Sequence, residues 1–265
     1  MSNAGAVQSR LEQLQAMSFL EHLEELRRRV IYAIVFVGLG FMACWWKAEV
    51  IFGYMQRPII AALTANKMDT QLVYLNPTEP FNLYMKIGLM AGIFVASPFI
   101  LYQVWAFIAP GLYRNERRYV LPFMASTIAL FVAGGAFGYL IVYPAALKFL
   151  IEYGHGLKPM ITIGEYTDLF MTIILGLGLV FEMPILVFFL SLMGIVSAKW
   201  MWNNLRYSIL VIFVIAAILT PTTDIMNMCI FAAPMIALYL LSIGVAWLVH
   251  PARRKKAKEA AETKA

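Results

Sequence analysis

Three sets of carboxylates are placed where they could do chemistry. Glu116 is the only acid in the seventeen-residue block Tyr102–Arg118, YQVWAFIAPGLYRNERR, and Arg114, Arg117 and Arg118 surround it. Glu21, Glu24 and Glu25 crowd into SFLEHLEELRRR at Ser18–Arg29. Glu182 stands alone in the apolar run LFMTIILGLGLVFEMPILVFFLSL. A carboxylate binds a guanidinium through charge-assisted, often bidentate hydrogen bonds that the point charge of lysine does not copy. Acids packed this closely repel one another unless something basic approaches, so the N-terminal cluster suits a cationic partner. The same spacing also allows the i,i+4 pairs Glu24–Arg28 and Glu25–Arg29, worth a few tenths of a kcal/mol each, which would leave a self-paired interfacial helix. Glu116 likewise reads either as an acid at a surfacing helix end or as a ligand for a basic group. A charge at the centre of a span costs roughly 2.5–3.5 kcal/mol on insertion scales, so Glu182 is expected to face protein or a water-filled concavity, or to be protonated in place. Pro184, two residues on, is placed to bend that helix.

The elements that must position these groups are membrane spans. Hydrophobic residues fill 62% of the 265 positions and charged ones 14%, and the mean hydropathy is +0.74. Such a chain has too little polar surface to cover a water-facing globule. Six apolar segments follow: Val30–Trp46, Ile87–Ile108, Val120–Val142, Leu169–Leu192, Tyr207–Leu219 and Ile225–Val249. About 20 residues cross a bilayer as a helix, and the fifth segment at 1.5 Å per residue reaches only ~20 Å. The expected architecture is therefore an all-α bundle of six transmembrane helices, with a short final pair that needs a thinned bilayer or partner helices.

Basic residues give the orientation. With the N-terminus inside, 15 of the 21 Lys and Arg fall on the inner side, which puts both termini in the cytoplasm. The net charge of +6 thus argues for topology before nucleic acid. The segments Lys47–Asn82 and Tyr143–Asp168 become external and, rich in Pro, Gly and Tyr, look ordered. Ser18 and Glu21 have the spacing of a capping box, so a helix is expected to start at Ser18. Phe19, Leu23, Leu26 and Val30 then form one apolar stripe. Gly134 and Gly138 have the GxxxG spacing of a close helix contact. Cys44 and Cys229 are expected to be buried free thiols. The scattered histidines give no metal site, no GxxxxGK[ST] supports an ATPase, and no cofactor is expected. Residues 1–17 carry no h-region of a cleavable signal.

Four motifs then match a family at family-like spacing: FLEHLEELRRR, the YQVWAFIAPGLYRNERR block, FEMP at Phe181–Pro184 and LTP at Leu219–Pro221. Across about residues 18–249 the chain closely resembles TatC, the receptor subunit of the twin-arginine protein translocase. The resemblance implies a concave, cup-like bundle in the cytoplasmic membrane. It also implies recognition of twin-arginine signal peptides on folded precursors, single-span TatA and TatB partners, self-association in a larger complex, and export driven by the proton-motive force. By the same resemblance Glu25, Leu26, Arg27, Phe107 and Glu116 are signal-peptide-binding residues, and Glu182 is an intramembrane polar site on the concave face. Thr220, Asp224 and Met228 belong to partner-helix docking, and Phe81 to a periplasmic loop motif of unread role. TPTTD departs from a TPPD-like form by an additional residue, and Met228 stands where a polar side chain is frequent.

The expected organisation is a cytoplasmic N-terminal segment with an amphipathic helix (1–29), the six-span domain (30–249) and a basic cytoplasmic tail (250–265). A proton-coupled secondary transporter working through Glu182 is the alternative. It predicts several intramembrane ionisable groups or repeat-related halves, and neither is found. No nucleophile–base or metal constellation lies in the spans, which argues against an enzyme.

Overall fold

The computed structural model describes residues 3–108, 120–154, 159–192, 194–220 and 225–249. Eleven α-helices and one π-helical turn occur among them, with a single isolated parallel bridge, Val73–Thr162, in place of a sheet. In chain order these are α1 (Asn3–Trp45), α2 (Ala48–Met55), α3 (Arg57–Ala65), α4 (Glu79–Ile108), α5 (Val120–Phe137), the π turn Gly138–Val142, α6 (Tyr143–Tyr153), α7 (Ile163–Val180), α8 (Met183–Leu192), α9 (Ala198–Asn203), α10 (Leu205–Leu219) and α11 (Ile225–Val249). Five stretches are long and apolar enough to cross a membrane: Glu21–Trp45, Glu79–Phe107, Met124–Tyr153, Ile163–Leu192 and Met228–Leu248. The shorter apolar helix Leu205–Ile218 lies between the last two.

The expected all-α, six-segment plan is present, with corrections. The shortness falls on the fifth segment alone. The 15 residues of α10 reach about 22 Å, whereas the 25 of α11 reach about 37 Å, enough for the ~30 Å core. No helix begins at Ser18, because α1 runs unbroken from Asn3. The residues before Ser18 are mostly Ala, Gln, Leu, Glu and Arg, strong helix formers with no proline, so the chain needs no cap there. The N-terminal segment and the first span are therefore one 43-residue helix.

Two of the prolines are accommodated locally. Pro98 lies inside α4 and cannot donate to Phe94 O, the carbonyl one turn back. The Ser97 hydroxyl donates to that oxygen at 2.7 Å instead. At Pro184 the helix stops. Phe181 and Glu182 form a turn, and α8 restarts with Pro184 in its first turn, where a missing N–H costs little.

Glycine lets the helices approach. A Cβ on Gly134 would lie 2.6 Å from Leu177 O and 2.9 Å from Gly178 Cα, so α5 and α7 touch backbone to backbone, as the GxxxG spacing predicts. A second such crossing, Gly40 against Gly92, joins α1 to α4, with a Cβ on Gly92 only 2.6 Å from Phe41 N.

The described parts of the segments 47–82 and 143–168 are folded and contribute to the core. Val73 N donates to Ile161 O (3.0 Å) and Ile163 N to Val73 O (2.8 Å), tying the two segments together. Met55, Ile59 and Leu63 of α2 and α3 are buried with Tyr143, Tyr166 and Phe170. The Tyr166 hydroxyl donates to Met55 O, and Lys86 of α4 pairs with Asp168 of α7. Both cysteines are free, but Cys229 is exposed rather than buried and Cys44 is partly so. Lipid receives an apolar thiol as readily as a protein core does.

Candidate functional site

α1 and α4 run antiparallel, and their contacts climb as a ladder. His22 stacks on Phe107 with ring centroids 4.4 Å apart and planes at 17°. One Arg29 Nη donates to Gln103 Oε1 at 3.2 Å. Phe36 stacks on Phe99 at 4.7 Å. The Gly40–Gly92 crossing follows, and then Trp45 against Gly88. The face of α1 turned to the protein is thus 22, 29, 36 and 40, at helical spacing.

The apolar stripe of the N-terminal helix is turned away from α4. The predicted apolar stripe is exposed at Leu23, Leu26 and Val30 (44%, 39% and 47%). Glu25 and Arg29 are the sheltered positions, each side chain about a quarter exposed. Lipid tails are as apolar as leucine, so nothing drives that stripe inward, while polar groups gain by meeting inside.

Glu25 is therefore a fixed carboxylate. Its Oε1 accepts from the second Nη of Arg29 at 3.2 Å, and the same guanidinium reaches across to Gln103. Arg29 Nε is buried with no partner. The i,i+4 pair Glu25–Arg29 forms as the spacing allows, but Glu24–Arg28 does not, which leaves Glu21 and Glu24 exposed. Glu21, Glu24, Glu25, Arg27, Arg28 and Tyr32 line an open groove of about 660 Å³. Three carboxylates and two arginines on one groove can hold a ligand carrying several cationic, planar groups.

The structure brings Glu25 and Phe107 to the same end of the bundle, with Leu26 and Arg27 exposed beside them. The end of α4 is anchored from behind. Trp105 is buried against Phe189 of α8, and its indole N–H donates to Thr127 at 3.2 Å. Glu116 and Asp224 lie outside the described residues, as do Pro110–Gly111 and the basic tail. Phe81 sits in the first turn of α4, 62% exposed. Thr220 is buried, its hydroxyl turned back on Ala217 O at 3.4 Å, and Met228 packs partly against the core.

Glu182 stands at the break between α7 and α8. It is 9% exposed, and its Oε1 has no hydrogen-bond partner. The expectation that it faces protein rather than lipid holds. His22, Gln103 and Arg29 were missed as members of the site. Their signal was periodicity, since 22 and 29 repeat every seven residues and 103 and 107 every four, each marking one helix face.

A ladder of polar and stacked contacts between apolar helices, with buried polar groups and short connecting helices, defines a multi-pass α-helical membrane protein with a charged groove at one end. The residues 21–234 match the model of the Sec-independent protein translocase protein family, TatC. The TatC protein of Koribacter versatilis is 71% identical, over 97% of this chain and 96% of its own length. That of Carboxydothermus hydrogenoformans is 37% identical, over 89% and 95%. A solved crystal structure of a twin-arginine translocase receptor, TatC, superposes with a TM-score of 0.77 at 35% identity, covering 86% of this chain and 99% of that one. The chain belongs to the TatC family of protein translocase components.

Proposed function

We propose that this chain is the signal-peptide receptor and core of a twin-arginine translocase in the cytoplasmic membrane, with both termini in the cytoplasm. The observation that carries the proposal is Glu25, fixed by Arg29 and Gln103 at the edge of an acid-lined groove. At the same end stands Phe107, stacked on His22. In this reading the carboxylates of Glu25 and Glu116 take the two adjacent guanidiniums of a signal peptide, with Leu26 and Phe107 receiving apolar side chains. Glu116 follows Phe107 by nine residues in the chain, and its arginine neighbours hold that loop on the inner side. Arg27 and Arg28 do the same for α1, and as exposed cations they repel a misregistered ligand.

Single-span TatA and TatB subunits dock around Thr220, Asp224 and Met228, beside the short α10, where the bilayer must thin. Glu182, buried without a partner for Oε1, hydrates the path that the precursor takes, and the proton-motive force drives export. The test is crosslinking of a twin-arginine signal peptide in membranes. Glu116→Ala abolishes the crosslink, and Glu182→Ala leaves it largely intact while reducing export. Normal signal binding by the double variant Glu25→Ala, Glu116→Ala would sink the receptor reading.

A further inference from the structure

At the end of the bundle opposite Glu25, a second groove of about 580 Å³ runs between α3 and the rod formed by the π turn and α6. One wall grades from apolar to charged. Leu140 and Ile141, 68% and 55% exposed, lie within the span Met124–Tyr153 and face outward. Lys148 follows about 12 Å further along the helix, and Glu152 one turn beyond. The other wall has Arg57 at its head and a floor of Ala61, Ala62 and Ala65, whose small side chains leave room for a hydrocarbon chain.

The walls are held before any ligand arrives. The Tyr139 hydroxyl donates to Tyr54 O at 2.8 Å, and the Arg57 guanidinium lies 4.2 Å from the centre of the Tyr54 ring. Lys148 Nζ and Glu152 Oε1 are 3.8 Å apart, with both side chains more than half exposed. A pair that long and that wet holds its partners loosely, so both are available to a ligand.

Lys148 and Glu152, one helical turn apart on a groove that opens onto apolar surface, specify a charge pattern. The Lys148 ammonium matches a phosphate. The carboxylate matches a group that donates N–H and carries positive charge. We propose that this groove is a binding site for a glycerophospholipid with a primary-amine zwitterionic headgroup, phosphoethanolamine in chemistry. Its phosphate sits on Lys148 and its ammonium on Glu152. One acyl chain runs over the alanine floor toward Leu140. The groove volume is within the range of small-molecule sites.

The proposal needs the chain to span a membrane but not the receptor reading, and its test is separate from signal binding. Full-length protein in detergent is titrated with phosphatidylethanolamine, phosphatidylcholine and phosphatidylglycerol of identical acyl chains, and bound lipid is counted by native mass spectrometry. The wild type retains phosphatidylethanolamine several-fold over both others, because a choline has no N–H for Glu152 and a glycerol headgroup has no charge for it. Lys148→Ala lowers that retention about tenfold. Glu152→Gln removes the preference and lets phosphatidylglycerol bind as well. Equal retention of the three lipids, a wild-type preference for phosphatidylglycerol, or an unchanged preference in Glu152→Gln would each overturn the site. Both side chains are exposed, so thermal unfolding and signal-peptide crosslinking should match wild type in each variant.

Discussion

The first span and the fourth are both apolar helices, yet they are held in opposite ways. In the most apolar window of the first, 6% of residues are buried within the protein; in the fourth, 50% are. α7 and α8 lie inside the bundle, with Ile173, Ile174, Leu177 and Phe189 buried around them. α1 lies outside, fixed to α4 by two ring stacks, one guanidinium and a glycine crossing. An inner span is kept by packing on several sides. Among the described residues the outer one is held mainly along α4, and the acid-lined groove lies on α1 beside that seam. Among the described residues α1 meets the bundle chiefly along α4, whose end beside His22 is anchored to α8 by Trp105.

The largest effect that separates these regions is expected at Gly134. Its added side chain would meet the backbone of α7 at 2.6 Å, with no flexible group to yield. Gly134→Val should therefore part α5 from α7 inside the bundle and cost more than the usual 1–3 kcal/mol of overpacking. The protein should fail to accumulate in membranes or run as an aggregate on size exclusion. Normal yield and elution would show that the inner region is looser than its burial implies.

Gly92→Val should come next. The Cβ there would meet Phe41 N at 2.6 Å and Gly40 C at 2.9 Å, an equally hard contact, but with an outer helix. α1 can swing out while the other spans stay packed. Expected are a folded, monodisperse protein, a melting temperature lowered by several degrees for a loss of about 2 kcal/mol, and a sharply weakened signal-peptide crosslink. If Gly92→Val were lost from membranes as completely as Gly134→Val, the seam would be as indispensable as the core.

The same contrast decides what could be read from sequence. The number of apolar segments, their order, the short fifth and the close contact at Gly134 and Gly138 follow from span length and glycine spacing, which lipid enforces directly. The inward face of α1 did not follow. An apolar stripe marks the buried side of a helix in water, but at Leu23, Leu26 and Val30 it marks the outside. Glu25, Arg29 and Gln103 lie on the inside because polar groups in lipid gain most from one another. The capping spacing at Ser18 failed for a local reason, since the helix-forming residues before it extend α1 past any start signal. Glu25 was identified by motif, while the guanidinium and amide that fix it emerge only when two helices 74 residues apart are laid side by side.

The smallest effect is expected at the ion pair Lys86–Asp168, which also joins two spans. It resembles the Arg29–Gln103 tie in reach, linking residues 82 apart where the other links 74. The surroundings differ. Gln103 is 7% exposed, whereas the Lys86 and Asp168 side chains are 41% and 61% exposed. Solvent competes for both partners of an exposed pair, and the carboxamide of Asn still accepts from Lys86. Asp168→Asn should cost under about 1 kcal/mol and leave both signal binding and the melting temperature close to wild type. Leu83 and Ile87 of α4 and Phe170 of α7 lie in one buried core, which keeps the two helices joined there. A loss in Asp168→Asn as large as that of Gly92→Val would place the strength of the inner region in its charges rather than its packing. The difference between the two spans would then be one of polar ties in both.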